Sequence, residues 1–80
     1  MGSVIVKIFN ESYTLKTDAN ASAVAIIAND VDKRMTELAK KKPDMDAQRI
    51  AVWTALNLAA EYAELKEKHE KLLKALEDEV

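Results

Sequence analysis

Apolar and polar positions follow three successive patterns along this chain. From Val4 to Phe9 the residues are Val-Ile-Val-Lys-Ile-Phe, mostly β-branched and carrying one charge. Such a run suits a strand, because branched side chains pack well on a pleated surface. Asn10-Glu11-Ser12 carries turn chemistry, since Asn tolerates positive φ and Ser can bond locally to backbone. Tyr13-Thr14-Leu15-Lys16 then alternates faces, which predicts a second strand and hence a β-hairpin. A lone hairpin is marginal in water, so this one must lie on helices or pair its edge with another hairpin.

The second pattern has the period of a helix. Thr17-Asp18-Ala19-Asn20 offers N-cap candidates, and a helix is expected from there to about Lys41. Val24, Ile27, Ala28, Val31, Met35 and Leu38 recur at steps of three and four and define its apolar face. Asp30, Asp32, Lys33, Arg34 and Glu37 surround that face, and Asp30 and Asp32 read as part of a solvated surface rather than as paired acids. Lys40-Lys41-Lys42 falls in the last turn, where cations suit the helix dipole. Pro43 ends the helix, because a residue preceding proline avoids the α region.

The third pattern runs from about Asp46 to the end of the chain without Gly or Pro. Its first half, Ile50 to Ala60, is apolar almost all round, as in a helix buried on several sides. Its second half is rich in Glu and Lys. Glu64/Lys68, Glu67/Lys71 and Glu70/Lys74 stand at i,i+4 in the favourable order. Leu58, Tyr62, Leu65, His69, Leu72 and Leu76 are spaced 4, 3, 4, 3, 4, a heptad seam that Ala51 and Ala55 extend backward. The change from all-round burial to a narrow seam predicts a helix that leaves a globular head and continues as a stalk.

The expected fold is therefore α+β: a small head of β-hairpin plus helix, with a long C-terminal helix forming an intermolecular coiled coil. Residues 1–45 supply the hairpin and first helix of the head. Residues 46–80 form the long helix, whose first half completes the head and whose second half is the stalk.

Composition narrows the function classes. A domain of 80 residues buries a modest share of its surface and commonly needs disulfides, a metal or a partner chain. There is no Cys and a single His, so disulfides and Cys- or His-rich metal sites are excluded. Self-association is the stabilising route that remains, and hydrophobic residues at 49% of the chain fit an interface between copies. The net charge of −2 argues against a nucleic-acid-binding module. No apolar run is long enough to span a bilayer. The N-terminus has no basic region followed by an apolar core, so no secretory signal is expected.

Few residues carry candidate chemistry. His69 sits on the seam at an a-type position if Leu65 and Leu72 are d, where a polar residue can set register; the alternative is an edge position facing solvent. Trp53 anchors either the core of the head or a contact between copies. Asn57 lies inside the apolar run and needs a hydrogen bond wherever it is buried. The lysines at the end of the first helix either face solvent or meet an acidic partner. Asp44 and Asp46 are caps or partner contacts. There is no Gly-rich loop, nucleophile motif or ligand cluster, so no enzyme and no cofactor are expected.

Several of these segments together resemble a known family. They are Val4 to Phe9, Tyr13-Thr14-Leu15, Ile27-Ala28-Asn29-Asp30-Val31-Asp32-Lys33-Arg34-Met35, Asp46 through Arg49-Ile50-Ala51-Val52, and Ala55-Leu56-Asn57. In this collinear order the chain resembles the ZapA family, the FtsZ-ring-associated proteins of bacterial cell division, and its short stalk resembles the Gram-positive-like members. Asn10 stands where family members often have Gly. Basic residues that some members use around that turn are not matched, with Glu11 and Thr14 in the region.

The resemblance implies a non-enzymatic cytoplasmic protein at the mid-cell division ring. It would bind the tubulin-like GTPase FtsZ through its head and bundle protofilaments as a homodimer or antiparallel tetramer, with no nucleic acid or membrane as partner. The expected contacts between copies are Ile50, Trp53, Asn57, Leu58, Tyr62, Leu65, His69, Leu72 and Leu76. The expected partner contacts are Lys33, Arg34, Lys41, Lys42 and Asp44. A generic coiled-coil adaptor and a ribbon-helix-helix DNA-binding dimer are the rival readings. The latter would need polar or basic side chains on its strand, where this chain has one.

Overall fold

A computed structural model of the chain describes residues 2–78. Two antiparallel strands, β1 (Gly2–Ile8) and β2 (Glu11–Thr17), are followed by α1 (Ala21–Lys41) and α2 (Ala47–Asp78). The α+β class and the element order are those expected from the sequence.

The hairpin differs from expectation in its turn. Ile8 pairs with Glu11, so the loop is the two residues Phe9 and Asn10. Both have positive φ, 50° and 68°, as a type I′ connection requires. This turn is favoured because its twist matches that of the strands it joins. Glu11 and Ser12, read as turn residues, instead pair in the ladder opposite Ile8 and Lys7. Phe9, read as the end of a strand, takes the first left-handed position of the turn.

Register decides which side of the hairpin meets the helices. Val4, Val6 and Ile8 share a face with Leu15, Tyr13 and Glu11, their cross-strand partners. That face rests on α1 through β1, and Val6 is buried. β2 overhangs the helix, leaving Tyr13 and Leu15 nearly half exposed. The opposite face carries Ile5, open to solvent between Ser3 and Lys7.

From β2 the chain enters α1 through two side-chain caps. The Thr17 hydroxyl accepts from the Ala19 N–H at 3.0 Å, and the Asn20 side chain accepts from the Ser22 N–H at 2.7 Å. Asn20 is thus the N-cap among the four candidates. At the other end the Lys42 N–H returns to the Leu38 carbonyl. Lys42-Pro43-Asp44-Met45 then closes a turn, with the Met45 N–H on the Lys42 carbonyl at 3.1 Å. Asp46 caps α2: its Oδ1 accepts from the Arg49 N–H at 2.9 Å.

The core is small. Val6, Ala28, Met35 and Ile50 are its buried apolar residues. On α1 the expected apolar face holds, except that Ile27 is exposed. On α2 the expectation of all-round burial does not hold within one chain. Ile50 and Thr54 are buried and Leu58 half-buried, while Val52, Trp53 and Leu56 are about half exposed on the other side. Thr54 lies comfortably in the core because its hydroxyl donates to the Ile50 carbonyl at 2.8 Å.

Candidate functional site

Two surfaces stand out among the described residues: a stripe along α2 and the basic end of α1. Among the described residues, no group of three or more His, Cys, Asp or Glu could hold a metal ion. No helix among them is long and apolar enough to cross a membrane.

The first surface is the seam of α2. The stripe that packs on α1 through Ile50, Thr54 and Leu58 continues along the helix beyond the last turn that α1 covers. There Tyr62, Leu65, Leu72 and Leu76 are each more than half exposed. His69 is exposed between Leu65 and Leu72. Salt bridges Glu64–Lys68 at 3.3 Å and Glu67–Lys71 at 3.1 Å flank the stripe and support the helix locally. Such a stripe, exposed over two heptads, has the spacing of a coiled-coil seam. Ile50, expected among the contacts between copies, is fully buried within one chain and belongs to the core instead. Trp53 and Asn57 are both exposed, Asn57 although it lies two turns on from Ile50 on the same side of α2. Trp53 lines an open groove with Met45, Asp46, Gln48, Arg49 and Val52.

The second surface is the basic end of α1. Lys41 and Lys42 are exposed at its C-terminus, and Asp44 is exposed in the turn that follows. Lys33 is exposed two turns earlier. Arg34 stands apart from these. Its Nη1 and Nη2 donate to the two carboxylate oxygens of Glu61 at 2.5 and 2.9 Å, and its Nε donates to Asp30 Oδ2 at 3.0 Å. All three groups are charged and the contact to Glu61 is bidentate, the strong form of the guanidinium–carboxylate pair. The hydrogen bond to Glu61, followed by that to Asp30, raises the Arg34 pKa further above its ordinary value. The same bond holds the Glu61 carboxyl below its ordinary value.

Asp32, like Glu61, has a role that the sequence reading missed. It is half-buried, and its Oδ1 accepts from the Phe9 N–H at 2.7 Å. The N–H at the first corner of a two-residue hairpin loop has no ladder partner. Asp32 supplies one and so ties the hairpin tip to α1. Beside this tie, Phe9, Tyr13 and Met35 face Ala47, Gln48 and Ala51 of α2 across a shallow groove.

Comparison with known proteins agrees with this architecture. The family model described as Cell division protein ZapA matches residues 4–80. A cell division protein ZapA from Geobacillus sp. (strain WCH70) is 36% identical over 76 residues, covering 95% of this chain and 87% of that protein. One from Bacillus anthracis is 39% identical over 71 residues, covering 89% and 80%. Among solved structures, a ZapA mutant dimer from Geobacillus stearothermophilus superposes with a TM-score of 0.80 at 33% identity, covering 95% of this chain and 88% of that one.

Proposed function

This chain belongs to the ZapA family of cell division proteins, and from that premise we propose that it binds FtsZ and bundles its protofilaments as a homo-oligomer, without catalysis. The observation that carries the reading is the bare seam of α2. Leu65 and Leu72 are 67% and 60% exposed on a helix of 32 residues. An apolar stripe of this length in one chain calls for a second chain. Pairing along it places two heads on one particle, and two heads are the least that can link two filaments. The relative solved as a dimer supports this arrangement.

In this reading the head makes the partner contact. Lys33, Lys41, Lys42 and Asp44 are exposed on it and offer mostly positive charge to the partner. Arg34, engaged by Glu61 and Asp30, is the least available of the expected contact residues. The working location is the mid-cell division ring.

Co-sedimentation with FtsZ polymerised in GTP tests the proposal, with electron microscopy of the pellet. The expected result is recovery of this protein with FtsZ and filaments gathered into bundles. FtsZ filaments that stay single, with this protein left in the supernatant, would refute it.

A further inference from the structure

α2 is joined to α1 in two places of different kinds. Over its first turns the link is packing: Ile50 is fully buried, Thr54 nearly so and Leu58 half-buried. About three turns from Ile50, roughly 16 Å along the axis at ~1.5 Å per residue, and one turn past Leu58, the link is ionic. There Arg34 of α1 grips both oxygens of Glu61. From Tyr62 to Glu77 every residue is exposed. Among the described residues, the Arg34–Glu61 pair is the last hydrogen-bonded link between the two helices before the stalk.

We propose that Arg34 is a positioning residue: a strut between α1 and α2 that fixes the direction in which the stalk leaves the head. A helix held by apolar packing alone over its first turns can still rock about that contact, whereas a directional grip at its far edge fixes its line. The lever is long. From Ile50 to the end of α2 is about 42 Å, so a tilt of about 10° would carry the tip about 7 Å. That is more than the spacing between neighbouring knobs in a coiled-coil seam. The guanidinium suits the task better than an ammonium would, because its planar fork fixes direction as well as distance. Asp30, one turn earlier on the same face of α1, braces the fork through Nε at 3.0 Å and holds it in the rotamer that reaches Glu61.

The chain has no cysteine, which makes site-directed spin labelling direct. Labels at Ser12→Cys on β2 and Lys66→Cys on the stalk, both exposed positions, report the head-to-stalk distance. Doubly labelled chains are diluted into unlabelled protein so that only distances within one chain are read. The parent is expected to give one narrow distance distribution. Arg34→Lys, Arg34→Gln and Glu61→Gln should each broaden it. The exchange Arg34→Glu with Glu61→Arg, made together with Asp30→Asn so that no two like charges face each other at i,i+4, should narrow it again, because the pair is restored with its direction reversed. Salt near 1 M, where the Debye length is ~3 Å, should broaden the parent's distribution.

A Glu61→Gln distribution that overlays the parent's would overturn the proposal. So would broadening that the exchange fails to reverse, since that marks lost packing rather than a lost pair. If Arg34→Gln does not fold, Glu61→Gln carries the test, because that side chain is 57% exposed and supports no core. These distance measurements need no FtsZ and stand apart from the bundling reading. A second measurement rests on it: filament spacing in bundles formed with Glu61→Gln should scatter more widely than with the parent. Broadened distances with unchanged spacing would remove the link to bundling and leave the strut standing.

Discussion

The Phe9 N–H and the Asp32 carboxylate meet at 2.7 Å although 23 residues separate them in the chain. The contact joins the corner of a hairpin to the middle of a helix. It satisfies a donor that the strand ladder cannot reach, and it does so with a charged acceptor. Hydrogen bonds to charged groups contribute about 1.5–3 kcal/mol, and partial exposure puts this one near the lower end. Asp32→Ala is therefore expected to lower stability by about 1–2 kcal/mol, read as a shift in urea midpoint at constant slope. Asp32→Asn keeps an acceptor and should lose less. Equal losses for the two variants would show that the contact is not a hydrogen bond of this kind.

Ile50 and Trp53 sit in one apolar run, yet the structure separates their roles. Ile50 is fully buried in a single chain and Trp53 is 50% exposed. Ile50→Ala should cost about 2–5 kcal/mol through the lost side chain and the cavity it leaves. Trp53→Ala should cost little within one chain. If Trp53 meets a second copy, its effect depends on protein concentration, as mass action requires. Melts at several concentrations separate the two. The expected pattern is a loss for Ile50→Ala at every concentration and one for Trp53→Ala that shrinks on dilution.

The regular elements were legible because they rest on local periodicity. Val24, Val31, Met35 and Leu38 repeat with helical spacing and face inward or partly inward. Pro43 and Asp46 mark one helix end and the next beginning where stop and cap chemistry places them. The hairpin turn was misplaced by one to two residues because Phe9 has strand propensity and gives no sign of a left-handed backbone. Its position follows from pairing, a long-range property. Asp32 and Glu61 were missed for a related reason. Their partners, Phe9 and Arg34, are 23 and 27 residues away, and no periodicity within one element connects such positions. Ile50 was assigned to an interface because the run around it is apolar on all sides. Only the crossing of α1 over α2 shows which side the chain itself covers.

Glu61 should also give the clamp a pH dependence. The hydrogen bond from Arg34 holds its folded-state pKa below the ordinary value of 4.5. A depressed acid contributes stability that is fully present above its unfolded pKa and lost as pH falls through the folded one. The expected effect is small, since the pair is exposed and screened by salt. Melting midpoints of the parent and Glu61→Gln, compared from pH 7 down to pH 3, should differ at neutral pH and converge below about 4.5. A gap that widens on acidification would contradict this sign.

The bare seam leads to the prediction that bears most directly on function. In the proposed role the chain gathers FtsZ filaments by occupying them, and linking two filaments needs two heads on one particle. Joining heads through α2 turns the second contact into an intramolecular one, so avidity can exceed the affinity of one head by roughly 10²-fold or more when the geometry fits. Leu65 and Leu72 are exposed in one chain, so charges there do not disturb the packing of the head. In a pair they would bury unpaired charges of like sign, which is strongly unfavourable. Leu65→Glu with Leu72→Glu is therefore expected to give a smaller species by sedimentation equilibrium while circular dichroism at 222 nm still reports a folded head. That species should lose FtsZ bundling, followed by light scattering, far more than it loses FtsZ contact, followed by crosslinking. A verified monomer that bundles FtsZ as well as the parent does would place the second filament contact on the head itself and remove the seam from the mechanism.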